Sequence, residues 1–330
     1  MFHSLQYLIL TITSHCNIHC QYCHQSAGEQ GLNMSDKVCD TILNLADNGQ
    51  PLFIQLTGGE PTMVPDIIER VAQKSRQMTW PPRLAIQTNG TLLTPSLINL
   101  FKRYQIQVGV SIDGPPDIQE ELRGYADKTL RGIGLLEEAD VPFRVTTVIT
   151  NKNILSLDKL AFMLAGYKSC RGIGLDLLVA KGRGISSNIC LPSHEQLHRG
   201  ITTLVQTLNA LNARRSRPIL LREMERIKNT TSRGAFCHGA SGRSIAVQPD
   251  GSLFACGQTI GDPTFSCGSI SAPSFANKSP LTTIRLQSHN CDNCPLLKRC
   301  PGDCPSRIHY NGVQNSPLIC ELYRCLDALR

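Results

Sequence analysis

The 330-residue sequence excludes several classes of protein by what it lacks. Charged residues make up only 18% of the chain, which is too few for an intrinsically disordered protein. Aromatic residues make up 5% and do not alternate with basic residues, so no nucleic-acid partner is expected. Because no long apolar run is present, we expect neither a transmembrane segment nor a membrane partner.

An export signal is missing as well. The apolar stretch Tyr7–Thr13 has no basic segment before it, and His15 and Cys16 follow where a cleavage site would have small residues. We therefore interpret this stretch as a buried strand and expect a cytoplasmic protein. The net charge of +7 is too small an excess to indicate a particular partner.

Cysteine, in contrast, is abundant. The chain contains 15 cysteines, which is more than an ordinary intracellular core uses, and it is too long to be a small secreted scaffold held by disulfides. Without an export signal, cysteines in this number are expected to bind metal. Their spacing indicates which kind of metal site they form.

Up to about residue 215, short apolar runs alternate with helical patterns. Helix N-caps are predicted at Ser35, Thr94 and Ser156. This alternation predicts an α/β fold of parallel βαβ units that close into a barrel or part of one, with the chemistry at the carboxyl ends of the strands. The candidate strands are Tyr7–Thr13, Leu52–Thr57, Leu84–Thr88, Gln107–Ile112, Arg144–Ile149 and Gly172–Val179. The candidate helices are Asp36–Asp47, Pro95–Tyr104 and one from Ser156 to Ala165.

The rest of the chain changes character. Two helices are predicted, at His194–Asn212 and at about Leu221–Lys228, and the basic run between them is expected to be a solvated surface. A hairpin is predicted for Ser244–Phe254 around a Pro-Asp-Gly turn, and the final helix is predicted to be capped by Ser316. Three parts follow: a barrel over residues 1–215, a linker helix region over 216–236 and a small cysteine-rich domain over 237–330.

A C-x3-C-x2-C motif directly follows the first strand and consists of Cys16, Cys20 and Cys23. Three thiolates can hold three irons of a 4Fe–4S cluster and leave the fourth iron open to a small molecule. A zinc knuckle or buried free thiols are the alternatives, because a nearby histidine would complete a four-ligand zinc site. The histidines close enough in sequence are His15, His19 and His24.

Three polar motifs follow the next three strands. Gly-Gly-Glu-Pro at 58–61 follows the second strand, Gln-Thr-Asn-Gly at 87–90 the third, and Ser-Ile-Asp-Gly at 111–114 the fourth. The two glycines of the first motif allow close approach of a ligand, and the Glu60 carboxylate can bind a cationic amine. Because the carboxyl ends of parallel strands lie together, we expect these groups to line one cavity.

In this order the motifs resemble those of the catalytic barrel of radical S-adenosylmethionine (SAM) enzymes, over residues 7–180. The resemblance implies a partial TIM-like (β/α)6 barrel in which the first three cysteines hold the cluster and its open iron binds SAM. Cleavage of SAM would give a 5′-deoxyadenosyl radical, which needs a water-poor cavity and a reductant such as flavodoxin or ferredoxin. The implied SAM contacts are Tyr22, Gly58, Gly59, Glu60, Pro61, Thr88, Asn89, Ser111, Asp113 and Arg123, with Arg131 as the alternative to Arg123.

A second group of seven cysteines lies in the last third of the chain. Its spacings resemble those of the SPASM extension of peptide- and protein-modifying radical SAM enzymes. The resemblance implies two auxiliary clusters, which we expect to be 4Fe–4S, and therefore three clusters in all. The ligands implied for the first are Cys237, Cys256 and Cys304, and those for the second are Cys291, Cys294, Cys300 and Cys320. Zinc ribbons, the alternative, would fit only the four cysteines between residues 291 and 304.

The first auxiliary cluster lacks one expected ligand. Fully ligated members of the family have a further cysteine shortly before the position of Cys237, but residues 191–236 contain none. Either this cluster has an open iron that can bind a substrate thiolate, or Cys267 or Cys325 supplies the missing ligand. Of the five remaining cysteines, two are expected to be buried hydrophobes and three are candidate hydrogen-atom donors. The two expected hydrophobes are Cys39 and Cys170, and the three candidate donors are Cys190, Cys267 and Cys325.

The residue after Cys256 bears on the reaction. Residues 87–90 and 111–115 are similar to those of anaerobic sulfatase-maturating enzymes, which carry an aspartate base immediately after the corresponding cysteine. Gly257 stands at that position here, so Asp262 or Asp176 would have to serve as the base. The missing aspartate argues against sulfatase maturation.

We therefore predict hydrogen abstraction from a ribosomally made precursor peptide, giving a thioether or C–C crosslink or an epimerised residue. Sulfatase maturation is the alternative. A non-catalytic iron–sulfur redox protein is the alternative of another class, although such a protein needs no SAM-binding motifs. Because the first cluster motif begins at residue 16, we expect the peptide or protein substrate to be recognised by the barrel rim, the C-terminal domain or a separate protein.

Overall fold

The computed structural model describes residues 2–185, 188–232, 234–274, 280–285, 291–315 and 317–329. Its central feature is one sheet in the strand order β10-β9-β8-β1-β2-β3-β4-β5-β6-β7. Strands β1 to β6 pair in parallel and form the predicted partial barrel. They are β1 (Tyr7–Thr13), β2 (Phe53–Gly58), β3 (Arg83–Thr88), β4 (Gln107–Ser111), β5 (Phe143–Ile149) and β6 (Cys170–Leu177). All six strands expected from the sequence are confirmed, with small shifts at their ends.

Helices connect these strands as the alternation predicts. Ser35 and Thr94 cap their helices as expected, because each side chain accepts a hydrogen bond from the first turn. The cap predicted at Ser156 is wrong. The chain enters that helix from a 3₁₀ turn, and Ser156, with ψ 11°, is not extended enough to cap it. The helices are α1 (Asp36–Ala46), α2 (Pro65–Ser75), α3 (Pro95–Tyr104), α4 (Pro116–Leu122), α5 (Ala126–Glu138) and α6 (Leu157–Ala165).

The two faces of the barrel strands differ. On β1, Leu8 and Leu10 are fully buried in the main core, while Ile9 alternates onto the inner face. On β6, Leu175 and Leu177 belong to the main core and Asp176 alternates onto the opposite, inner face. The apolar residues therefore pack against the surrounding helices, and the inner face keeps polar groups.

The C-terminal part joins the barrel through its sheet. The hairpin of β8 (Ser244–Val247) and β9 (Ser252–Phe254) is confirmed, and β8 pairs in parallel with β1, with Tyr7 opposite Ser244 and Leu10 opposite Val247. The hairpin thus extends the barrel sheet, which the sequence did not predict. The other elements are α7 (His194–Asn212), β7 (Leu220–Leu221), α8 (Arg222–Asn229), β10 (Ser266–Ser269), α9 (Pro305–Asn311) and α10 (Pro317–Ala328).

Helix α7 agrees with its predicted range, and a capping box of Ser193 and Gln196 begins it. Helix α8 begins one residue after its predicted start, and Ser316, the predicted cap of α10, lies outside the described residues. Within the described residues, no helix combines the length and apolarity that crossing a bilayer requires. The domain boundaries near residues 215 and 236 stay predictions.

Candidate active site

The first cysteine group lies in the loop after β1. Cys16 and Cys20 are buried and pack with Ile18, Ala27 and Cys23. Burial raises the pKa of Cys16 to about 11, and the negative charges of Glu60, Cys20 and Cys23 add to the shift. Two buried thiols packed with a third, half-buried one suit a metal cluster, because bound cations compensate the thiolate charge.

The zinc alternative at this loop needs a histidine as fourth ligand, and two of the three candidates are hydrogen-bonded to backbone groups through one ring nitrogen. The His15 ring is hydrogen-bonded to the Glu29 carbonyl at 2.7 Å. The His24 ring is hydrogen-bonded to the backbone of Gly257, far away in the sequence. Among the described residues, no three Cys, His, Asp or Glu side chains converge on a single point as one metal ion requires. A cluster spreads its thiolates over several irons and does not need such convergence.

Arg183 holds the cysteine loop from the other side. Its Nε donates to the Cys20 carbonyl at 2.8 Å, its Nη1 donates to the Ala27 carbonyl at 2.8 Å, and its backbone N–H donates to the Cys23 carbonyl at 3.1 Å. Gly182 next to it has φ +60°, and a Cβ there would lie 2.4 Å from the Cys23 carbonyl oxygen. Sequence reasoning missed this contact, although the Lys-Gly-Arg-Gly run at 181–184, three residues after the end of β6, was a signal for it.

Glu60 joins the first and second polar motifs. It is buried, and its Oε1 accepts from the Thr88 hydroxyl at 2.6 Å and from the Thr62 N–H at 3.1 Å. Among the described residues, its Oε2 accepts from the Asn89 N–H alone, at 2.6 Å. Its own N–H donates to the His15 carbonyl at 2.7 Å. Most of the carboxylate therefore fixes the motifs, and Oε2 is the oxygen with acceptor capacity left for a ligand.

Tyr22, Arg123 and Asp113 form a buried polar group beside the cysteine loop. Arg123 Nη1 donates to the Tyr22 hydroxyl at 2.8 Å and lies 3.6 Å from Asp113, while the Tyr22 hydroxyl is also hydrogen-bonded to Asp113. Arg123 Nε is a buried donor without a partner in the described part of the chain. The alternative residue Arg131 is exposed on α5. Geometry therefore favours Arg123 as the arginine that faces a bound ligand.

The remaining predicted contacts lie along the same edge of the sheet. Ser111 ends β4 and accepts a hydrogen bond from Gln87 at 2.8 Å. Asn89 donates to Asn17, inside the cysteine loop, at 3.0 Å. A Cβ on Gly59 would lie 2.0 Å from the His15 carbonyl oxygen, so only glycine fits there. The motifs and the cysteine loop are thus connected to each other by hydrogen bonds and close packing.

The first auxiliary group predicted from the sequence is brought together in part. Burial raises the pKa of Cys256 to about 12, and the charges of Cys304 and Cys237 raise it further, so the three thiols are neighbours. The Cys325 thiol faces α7 and lies 3.6 Å from the Thr202 hydroxyl. The Cys267 thiol is directed to the Phe265 carbonyl, and burial raises its pKa. The described contacts connect neither of these two thiols to the trio.

The second auxiliary group is described less completely. Arg324 is hydrogen-bonded to Cys294, and the charge of Cys320 acts on the same guanidinium. The Cys291 carbonyl accepts from the Cys294 N–H at 3.0 Å, and the Cys300 thiol accepts from a backbone N–H at 3.4 Å. Cys294 and Cys320 thus share one neighbourhood, in keeping with a common site.

His24 connects the two cysteine groups. It follows Cys23 directly, and its ring contacts the backbone of Gly257, which follows Cys256. Burial lowers the pKa of His24 to about 4, so the ring is neutral at pH 7. Lys181 Nζ closes the same region by donating to the Gln258 carbonyl at 2.9 Å. Both cysteine groups therefore border the interior of the barrel.

The candidate catalytic residues lie in three different parts of the structure: the barrel interior, the C-terminal loops and the surface. Asp176 lies inside the barrel and pairs with Arg222 at 2.8 Å. Asp262 accepts from the Tyr310 hydroxyl at 2.8 Å and belongs to the C-terminal loops. Cys190 is exposed, because its neighbours Ile189 and Leu191 pack against the Tyr22 side chain and direct it outwards. Of the candidates, Asp176 is the one on the inner face of a barrel strand.

Several known proteins are similar to this chain in sequence. An uncharacterised protein of Methanocaldococcus jannaschii is 28% identical over 88% of this chain and 96% of its own length. The AdoMet-dependent heme synthase of Methanosarcina barkeri is 32% identical over 55% of this chain and 53% of its own length. Mycofactocin maturase of Mycobacterium tuberculosis is 23% identical over 92% of this chain and 78% of its own length. The serine-type anaerobic sulfatase-maturating enzyme of Klebsiella aerogenes is 24% identical over 94% of this chain and 81% of its own length.

Solved structures share the fold. The structure of anSMEcpe with bound AdoMet superposes with a TM-score of 0.80 at 20% identity, covering 98% of this chain and 92% of that one. The structure of Streptococcus suis SuiB bound to the precursor peptide SuiA gives a TM-score of 0.64 at 16% identity, and the match covers 93% of this chain and 73% of that one. Residues 10–164 match the family model of the Radical SAM superfamily. Residues 10–164 therefore form a radical SAM domain, and the chain is an enzyme.

Proposed function

We propose that this enzyme modifies a ribosomally made precursor peptide. Maturases among its relatives support a peptide substrate. The observation that carries the proposal is the contact of His24 with the backbone of Gly257, because it brings the cysteine group after β1 and the group around Cys256 to the same barrel interior. A peptide held there would lie between the two groups.

The proposal gives each part of the SAM site a task. Cys16, Cys20 and Cys23 would hold the cluster, which with SAM supplies the radical that abstracts a hydrogen atom. Arg123, with its free Nε, and Glu60 Oε2 would hold polar groups of SAM. The apolar residues packed on Tyr22 would exclude water from the reacting atoms.

The C-terminal domain, residues 237–330, would supply the auxiliary clusters. The trio Cys237, Cys256 and Cys304 would hold one that has an open iron, since the contacts of Cys267 and Cys325 lie elsewhere. Such an iron would bind a substrate thiolate and favours a thioether or another crosslink as product. Gly257 in place of an aspartate speaks against sulfatase maturation.

The first experiment tests the radical chemistry. The anaerobically reconstituted, reduced protein is incubated with SAM, and 5′-deoxyadenosine is measured by chromatography. We expect its formation, and we expect the variant with Cys16, Cys20 and Cys23 replaced by alanine to form none. A wild-type protein with a full iron complement and no 5′-deoxyadenosine would support the non-catalytic redox protein instead.

The second experiment identifies the product. A small peptide encoded beside the gene is co-expressed with the enzyme and analysed by mass spectrometry. A loss of two mass units would indicate a crosslink or an aldehyde formed from serine, whereas an aldehyde formed from cysteine also exchanges sulfur for oxygen and loses more mass. An unchanged mass in ordinary water, with deuterium incorporated from heavy water, would indicate epimerisation. A peptide that is unchanged in both respects, beside an active enzyme, would contradict the assignment of that peptide. Formation of an aldehyde from a serine or cysteine would favour sulfatase maturation.

A further inference from the structure

An ion pair inside the barrel is not used by the predicted SAM contacts. Asp176 is on the inner face of β6, and Arg222, the first residue of α8, donates from Nη2 to Asp176 Oδ1 at 2.8 Å. Their side chains keep 41% and 42% of their surface accessible, although protein surrounds both. The pair therefore lines a space inside the barrel and is not part of the packed core.

The guanidinium has a fixed orientation. Its Nε donates to Glu223 at 2.7 Å, and its Nη2 donates to the Leu175 carbonyl at 2.9 Å as well as to Asp176. Gly174 makes room for it, because a Cβ there would lie 2.8 Å from both Cζ and Nη1. Nη1 is the nitrogen of Arg222 that makes no hydrogen bond within the described ranges.

One carboxylate oxygen of Asp176 is also without a hydrogen bond from any described residue. Oδ1 accepts from Arg222, and no described residue donates to Oδ2. Although burial opposes ionisation, the charges of Arg222, Arg307 and Arg226 lower the pKa of Asp176, so the carboxylate is ionised at pH 7. A free donor and a free acceptor thus stand next to each other on one ion pair.

The pair lies between the two cysteine groups. The charge of Asp176 acts on His24, which is bonded to the backbone of Gly257. The charge of Arg222 acts on Tyr7, whose pKa also responds to Cys256 and Cys237. A peptide residue placed next to this ion pair is therefore placed between the predicted SAM cluster and the predicted first auxiliary cluster.

We propose that Asp176 and Arg222 bind the backbone N–H and carbonyl of one extended residue of the peptide substrate and so position the residue that reacts. In an extended chain these two groups of one residue point to the same side, so the N–H can donate to Asp176 Oδ2 while the carbonyl oxygen accepts from Arg222 Nη1. Together they are neutral, like the pair. A carboxylate would be repelled by Asp176, and an ammonium group by Arg222. This inference rests on the proposed function, and it adds the part of the substrate that is recognised.

The test uses the labelled precursor peptide that co-expression has shown to be modified. Copies of it have one backbone amide at a time replaced by an ester, which has no N–H, and their binding to the reconstituted enzyme is measured by fluorescence anisotropy. We expect one position to lose about tenfold in affinity, as the loss of a hydrogen bond to a charged acceptor implies. In Asp176→Asn this penalty should fall below about threefold, because the charged acceptor is gone.

Matched controls separate the site from general effects. Asp140 and Arg217 form a similar pair at 3.1 Å on the surface, so Asp140→Asn should keep the ester penalty of the wild type. In Gly174→Ala the three atoms nearest to the added Cβ all belong to the Arg222 guanidinium. This variant should weaken all peptides about fivefold, and it decides the question if Asp176→Asn does not fold. A modified peptide with no sensitive ester position, or with a penalty that Asp176→Asn leaves intact, would overturn the inference. A peptide that is never modified would instead contradict the proposed function.

Discussion

Single buried charges define the SAM side of the active site. Asp113 is fully buried, and the Arg123 guanidinium is its nearest opposite charge, at 3.6 Å. The Val148 N–H donates a further hydrogen bond to this carboxylate at 2.9 Å. Because a buried charge without its partner is strongly unfavourable, these residues contribute to folding as well as to ligand binding.

Replacing Arg123 by methionine tests this double role. The change leaves Asp113 buried without its partner, so we expect the free energy of unfolding to fall by about 3 kcal/mol. The loss should be smaller at pH 5, because Asp113 can then take up a proton. Urea unfolding followed by circular dichroism measures both values. Arg131→Met, on the exposed face of α5, is the control and should change stability by less than about 0.5 kcal/mol.

The carboxylate of Glu137 is expected to make the stability of the protein depend on pH. Burial acts to raise the pKa of Glu137, but hydrogen bonds from the N–H groups of Ser169 and Lys168 lower it below the ordinary value of 4.5. A lowered pKa contributes stability that is present above the unfolded-state pKa and is lost as the pH falls through the folded-state value. Glu137→Gln should therefore be less stable than the wild type by about 1 kcal/mol at pH 7. The difference should shrink below pH 4.5 in urea titrations, and a difference independent of pH would contradict this explanation.

At the scale of elements, the segment after β6 connects several parts of the site. Lys181 binds carbonyls of the loop after Cys256, and Arg183 binds carbonyls of the loop after β1. Gly182 between them allows the chain to pass within contact distance of Cys23. This segment thus positions both cysteine loops without supplying a thiol.

Gly182→Ala should loosen the first cysteine loop. The added methyl group would meet the Cys23 carbonyl oxygen at 2.4 Å, so the loop must move. We expect the iron retained after anaerobic reconstitution and gel filtration to fall by about a third, which is one cluster of the three predicted. Gly124→Ala is a matched control, because Gly124 also has a positive φ, +78°, but no atom of the described residues lies within 4 Å of the added carbon. Equal iron in the two variants would show that the close contact is unimportant.

The elements themselves could largely be predicted from the sequence. Alternating apolar runs and caps such as Ser35 and Thr94 are local signals, and the strands and helices that they predicted are confirmed. The cysteine spacings predicted which thiols become neighbours around Cys256. The polar pairs could not be predicted, because Arg222 and Asp176 meet only through the fold, across 46 positions of sequence. A lone arginine at the start of a helix gives no local signal of what it faces.

At the scale of the whole molecule, β1 is shared by both predicted domains. It pairs with β2 on one side and with β8 on the other, over Tyr7 to Leu10. The sequence predicted a separate small domain, because strand pairing between residues so far apart leaves no periodic signal. The continuous sheet implies that the barrel depends on the C-terminal part for more than its cysteines.

Removing the C-terminal part tests this dependence. A chain ending at residue 236 would lose β8 and expose the edge of β1, so we expect it to be insoluble or to unfold without cooperativity. Replacing Cys237, Cys256 and Cys304 together by serine keeps β8 and should leave a soluble chain with a cooperative transition. Thermal unfolding and gel filtration of the two proteins give the comparison. A soluble, cooperative chain of residues 1–236 would show that the barrel is autonomous.

The pairing of β1 with β8 also constrains how the protein is made. Strand β1 pairs with residues that are synthesised more than 230 positions later. Contacts so distant in sequence form slowly, and until they form the nascent barrel has an unpaired edge. The cysteine loop that follows β1 therefore reaches its final framework only after most of the chain has been translated. We therefore expect iron delivery to that loop to follow the synthesis of the C-terminal part.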